Sequence, residues 1–151
     1  KLGGKVAMCG VVGSDVFGKT LAESLQNVGI GTSCVHVADD TNSGVAVIVV
    51  VNGDNRIVLD SGANGKLTKQ MIDEFLTDAT QEDIYITQLE NPIDVVGYGL
   101  QSAKKKGMTV VLNPALPIKK FCPTCNMWIC WCLTKRNLHC LVAIRHCLSV
   151  A

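Results

Sequence analysis

Short apolar runs alternate with helix-spaced segments from about residue 6 to residue 112, and that rhythm restricts the chain to an α/β design. Residues 6–12 form an apolar run of strand length. Residues 17–28 follow, with Phe17, Leu21, Leu25 and Val28 spaced to line one helix face and Gly29 as a natural stop. Residues 32–37 read as a short strand. Thr68 can cap a helix through about Leu76, with Met71, Ile72 and Phe75 turned inwards. Residues 84–88 and 109–112 are strand-like. The helix between them starts at Asn91-Pro92, where proline suits the first helical position, and runs to about Lys106 before Gly107. Strands separated by helices pair in parallel through right-handed crossovers. The expected fold class is therefore α/β, a partial doubly wound, Rossmann-like sheet.

One segment breaks the rhythm. Residues 43–51 and 56–59 flank Asn52-Gly53-Asp54-Asn55, residue types that tolerate positive φ, and this is a hairpin signal. Such a hairpin should stand off the main sheet. Its first arm, residues 45–51, is wholly apolar but well short of the ~18 residues of a membrane span, and reads as a buried strand. Residues 62–65 read as a loop.

A chain of 151 residues suits one domain. The formal net charge of +1 gives no strong pull towards nucleic acid or an acidic membrane. Lys104, Lys105 and Lys106 read as the solvated end of a helix, with no basic face interleaved with aromatics, so neither a nucleic-acid nor a membrane partner is expected. The start lacks an initiator Met and a signal-peptide pattern and lies almost at a strand, which suggests a chain beginning inside a longer one.

The segment after residue 118 is different. Six of the eight cysteines (Cys122, Cys125, Cys130, Cys132, Cys140 and Cys147) and both tryptophans follow Phe121, while Asp and Glu vanish and no period persists. The expected division is residues 1–118 as a partial domain, containing the hairpin at 43–59, and residues 119–151 as a Cys-rich tail foreign to it. A frameshifted or intron-derived reading explains the lost acidic residues. A metal site drawn from Cys122, Cys125, His139, Cys140, His146 and Cys147 has suitable ligand types, but its histidines are spaced more widely than in a usual finger. A disulfide cluster needs an oxidising compartment. Cys9 and Cys34 sit in apolar strand contexts, as small hydrophobes.

Residues 13–20 (GSDVFGKT) match the phosphate-loop pattern between a strand and a helix, with Lys19 and Thr20 in the positions for outer phosphates and Mg²⁺. Asp15 would set a carboxylate against polyphosphate, Val16 and Phe17 are bulky where a backbone must approach closely, and residues 84–90 end in Glu where a partner strand needs Asp. A strand–turn–helix joint with two glycines explains the match as well.

A longer pattern covers residues 3–118. Gly13-Ser-Asp15-Val-Phe-Gly18 resembles the GxDxFG turn of the PfkB-type carbohydrate kinases. It is followed in order by Gly29-Ile-Gly-Thr-Ser33, Ser43-Gly-Val-Ala46, Asp54-Asn-Arg-Ile57, Gly62-Ala-Asn64, Leu67-Thr68, Gln88-Leu-Glu90-Asn-Pro92 and Asn113-Pro-Ala-Leu116. Together these are similar to ribokinases more than to fructokinases or adenosine kinases. The resemblance implies a ribokinase-like fold whose hairpin is a β-lid over the sugar, with Ala46 and Ile48 over the ligand; Glu90, at a strand end, reads as a sugar contact or a helix-capping acid, and Asn113 equally as a sugar contact or as part of an Asn-Pro turn. It also implies a cytoplasmic homodimer clasped through the lid. The reaction implied is transfer of phosphate from ATP, with Mg²⁺ and a monovalent cation, to the 5-hydroxyl of D-ribose or a related small sugar. No catalytic residue is assigned, because the family's GGKGAN, NxxE and GAGD segments do not occur in the sequence. The chain itself is expected to be inactive, or to be a noncatalytic sugar-binding or dimerising piece.

Overall fold

A computed structural model describes residues 3–113 and the backbone of residues 129 and 130. The order is β1 (Ala7–Gly13), α1 (Val16–Asn27), β2 (Gly31–Ala38), β3 (Val45–Val51), β4 (Asp54–Asp60), a 3-10 turn (Gly62–Lys66), α2 (Lys69–Phe75), β5 (Ile84–Gln88), α3 (Ile93–Lys105), β6 (Thr109–Asn113) and β7 (Ile129–Cys130). The chain divides into two units, residues 1–77 with 90–95, and residues 78–89 with 96–151.

In the first unit β1 and β2 pair in parallel across α1, with Cys9 beside Cys34 and Val12 beside Val37. Helix α2 lies against both strands. Thr68 caps it by accepting the Met71 N–H at 3.3 Å, and its Ile72 is buried together with Leu76, Val11, Ala63 and Leu67. The expected cap is therefore present, and of the face expected to turn inwards Ile72 is buried while Met71 and Phe75 are half-buried. The face expected of α1 is not buried: Phe17 is 62% exposed, and Leu21 and Val28 are also exposed, with Leu25 only partly covered. Helical spacing identified the apolar stripe correctly, but burial depends on a second surface lying over it.

The second unit repeats the β–α–β pattern. β5 and β6 are parallel, from Ile84 beside Thr109 to Gln88 beside Asn113. Tyr85, Val96, Leu100, Ala103, Met108 and Leu112 are buried in this unit. β7 adds two residues in parallel to β6, Ile129 beside Val111 and Cys130 beside Leu112. A strand position thus occurs within the segment where the sequence showed no period; the proposed metal ligands and the remaining cysteines there lie outside the described residues.

The hairpin is the expected one. Asn52 (φ 50°) and Gly53 (φ 83°) both take the left-handed conformation of a two-residue turn, and Val51 faces Asp54. Among the described residues β3 and β4 pair only with each other. Every residue of both arms is exposed, which overturns the reading of residues 45–51 as a buried strand. Uniform apolarity fits a buried strand in a sheet covered on both faces, whereas among the described residues nothing covers either face of this ribbon. Residues 62–65, read as a loop, form the core of the 3-10 turn.

Candidate functional site

The turn between β1 and α1 is built around Asp15. Its carboxylate caps α1, Oδ1 accepting the Gly18 N–H at 2.8 Å. The same oxygen accepts the Ser43 hydroxyl at 2.7 Å, and Oδ2 accepts the Ser43 N–H at 2.9 Å. The Gly18 N–H, and then Ser43 through its hydroxyl and N–H, hold the Asp15 carboxyl below its usual range, because hydrogen bonds to the charged form favour it. Ser43 is 2% exposed, and its oxygen also accepts the Gly13 N–H at 2.9 Å. The approach is so close that a Cβ on Gly18 would strike the Gly13 carbonyl, and one on Gly13 would strike the Ser43 N–H.

This geometry bears on the phosphate-loop pattern of residues 13–20. A phosphate loop needs free backbone N–H groups aimed at an anion. Those of Gly13, Ser14 and Gly18 are already held by Ser43, Ala38 and Asp15. Lys19 is exposed and reaches Glu23 on its own helix at 3.9 Å, and the Thr20 hydroxyl donates to the Val16 carbonyl at 2.8 Å. A triphosphate fits poorly in a turn where the Gly13, Ser14 and Gly18 donors are engaged and the centre carries a carboxylate.

The other sequence candidates lie on strands or at their ends. Ala46 faces Leu59 and Ile48 faces Ile57 across the hairpin, so these four share one face. Val45, Val47, Val49 and Val51 occupy the opposite face. Asn113 ends β6 beside Gln88, the last residue of β5, at the carboxyl ends of parallel strands where open α/β sheets bind ligands. Glu90 follows β5 by two residues and is exposed. Ser43 was legible only as part of a strand-like motif; its partner Asp15 is 28 positions away, and nothing in the spacing pairs them.

Two further features carry no site chemistry. Burial, with smaller contributions from Cys34 and Glu74, pushes the Cys9 thiol up to about 11, which leaves it protonated and unreactive at neutral pH. Among the described residues, no group of three or more His, Cys, Asp or Glu side chains is placed to hold a metal ion.

Comparison with known proteins adds an independent line. Residues 1–134 match the family model described as pfkB family carbohydrate kinase. A ribokinase from Haemophilus influenzae is 39% identical over 116 residues, covering 76% of this chain and 38% of that protein. A deoxyribokinase from Salmonella typhi is 36% identical over 121 residues, 80% of this chain and 40% of that protein. The chain thus spans well under half the length of the curated relatives it matches. Among solved structures, a ribokinase from Cryptococcus neoformans in complex with ADP aligns with a TM-score of 0.66 at 29% identity, over 78% of this chain and 35% of that one. The fold is accordingly a partial ribokinase-like α/β fold with a protruding hairpin, and the chain belongs to the pfkB family of carbohydrate kinases.

Proposed function

We propose that this chain carries the sugar-recognising part of a ribokinase-type kinase, whose whole-protein reaction is transfer of phosphate from ATP to the 5-hydroxyl of D-ribose. The observation that carries this reading is the free-standing hairpin, with Ala46 and Ile48 on one exposed face. A sugar ring has apolar C–H faces and a polar rim. An apolar strand face suits the former, and a carboxylate suits vicinal hydroxyls of the latter through charge-assisted hydrogen bonds. Glu90 is assigned that second role, with Asn113 as a further polar contact. In this reading the hairpin is a lid, and its exposed valines and isoleucines also form a surface for a second copy of the chain. ATP, Mg²⁺ and a monovalent cation belong to the whole kinase, working in the cytoplasm. Among the described residues no helix is long and apolar enough to cross a membrane.

The chain alone binds sugar without turning it over. The engaged Gly13, Ser14 and Gly18 donors support this, as does the absence of the family's GAGD segment from these 151 residues. Calorimetric titration with D-ribose tests the binding half: a saturable signal is expected, reduced at least about tenfold in affinity by Glu90→Ala. Ribose-dependent ADP formation tests the other half, and turnover above background would overturn it. The likeness to a deoxyribokinase makes 2-deoxyribose the competing sugar. Its tighter binding in the same titration would move the assignment.

A further inference from the structure

One carboxylate joins the first turn of α1 to the entry leg of the hairpin. A helix cap needs one acceptor oxygen, and Asp15 supplies it to Gly18 through Oδ1. Its second oxygen is turned to the Ser43 N–H, and Oδ1 also takes the Ser43 hydroxyl. Ser43 lies two residues before β3 begins, is buried, and is anchored on its other side by the Gly13 N–H. The exit leg is tied nearby, where the Ala63 N–H donates to the Asn42 carbonyl at 2.8 Å. Among the described residues β3 and β4 pair only with each other, so the hairpin is held to the rest of its unit at this base.

We infer that Asp15, acting through Ser43, is a positioning residue for the hairpin: it fixes how Ala46 and Ile48 are presented and thereby sets sugar affinity. The clamp itself stands on geometry alone; its effect on affinity rests on the sugar-binding reading above.

Asp15→Asn separates the two duties of this side chain. Asparagine caps helices as well as aspartate. With its oxygen kept on Gly18, however, the amide NH₂ faces the Ser43 N–H, donor against donor; flipped, it faces the Gly18 N–H instead. Ser43→Ala removes the hydroxyl that bridges Asp15 and Gly13, and Ser43→Thr keeps it. Residue-resolved hydrogen exchange on the full chain is the first readout. Asp15→Asn and Ser43→Ala should each accelerate exchange across residues 43–60 by about tenfold, with residues 16–27 and 84–113 at wild-type rates and Ser43→Thr close to wild type. Ribose titration is the second readout, and weakening by a similar factor in the two loosened variants is expected. Unchanged hairpin exchange, or equal acceleration in α1 and the hairpin, would overturn the clamp. A loosened hairpin with unchanged ribose affinity would overturn the positioning role. A wild-type chain that binds no ribose, with the exchange pattern as expected, would remove the sugar reading and leave the clamp in place.

Discussion

The hairpin and the β5–α3–β6 segment both contain apolar strands and meet opposite fates. β3 is the most uniformly apolar strand in the chain, VAVIVVV, yet each of its residues is exposed. β5 and β6, with mixed compositions, bury Tyr85 and Leu112, and α3 buries Leu100 completely. The difference lies in what covers each element. A helix whose Val96, Leu100 and Ala103 are buried joins β5 to β6, whereas only a two-residue turn joins β3 to β4. Apolarity in a strand therefore marks a surface that will be covered, without saying by what. A hydrophobic ribbon kept exposed suits closing over a ligand or a second chain better than it suits holding a domain together.

Substitutions in the two regions sharpen this contrast. Leu100→Ala should destabilise the chain by about 3 kcal/mol in urea unfolding, because it leaves a cavity in a fully buried site. A change below about 1 kcal/mol would mean that the second unit is not a packed core. Thr68→Ala, which removes the α2 cap, should lower stability by about 1 kcal/mol in the same measurement. Val49→Ala in the hairpin should shift it by no more than about 0.5 kcal/mol, although it deletes more apolar surface than the cap does. A larger loss would show that the ribbon is covered and would break the comparison.

Acid should act on both regions alike. The Asp15 carboxyl is held low by Gly18 and Ser43, Asp40 by Lys66, and Asp83 by the N–H and hydroxyl of Thr80. A depressed folded pKa contributes stability that is present above the unfolded value and lost as pH falls through the folded one. Stability should thus be flat, as far as these groups are concerned, from pH 7 to about 5 and decline below the ordinary carboxylate range near 3.8. Thermal unfolding across that range checks this, and a decline beginning near neutrality would point to other groups.

Most elements were legible because their signals are local. The helix stripes, Thr68 as a cap and Asn52-Gly53 as a tight turn need only neighbouring residues to be read, and each element lies where its signal placed it. What was not legible depends on distant partners. The exposure of Phe17 and Leu21 on α1 reflects an uncovered face, which a helical period cannot report. The grip of Asp15 on Ser43 joins positions 28 apart. The same turn that holds that grip imitates a phosphate loop in sequence, and only the hydrogen bonds of Gly13, Ser14 and Gly18 separate the two. Ala46 and Ile48 could be placed on one face from the strand period alone, whereas their exposure could not.

The central claim, that one face of the hairpin meets a sugar, is tested most directly by ribose titration of two neighbouring variants. Ile48→Gln and Val47→Gln alter adjacent, similarly exposed positions on opposite faces of β3. The expected result is an affinity about tenfold weaker for Ile48→Gln, equivalent to about 1.4 kcal/mol, with Val47→Gln at the wild-type value. Equal effects from both, or a loss confined to Val47→Gln, would contradict it.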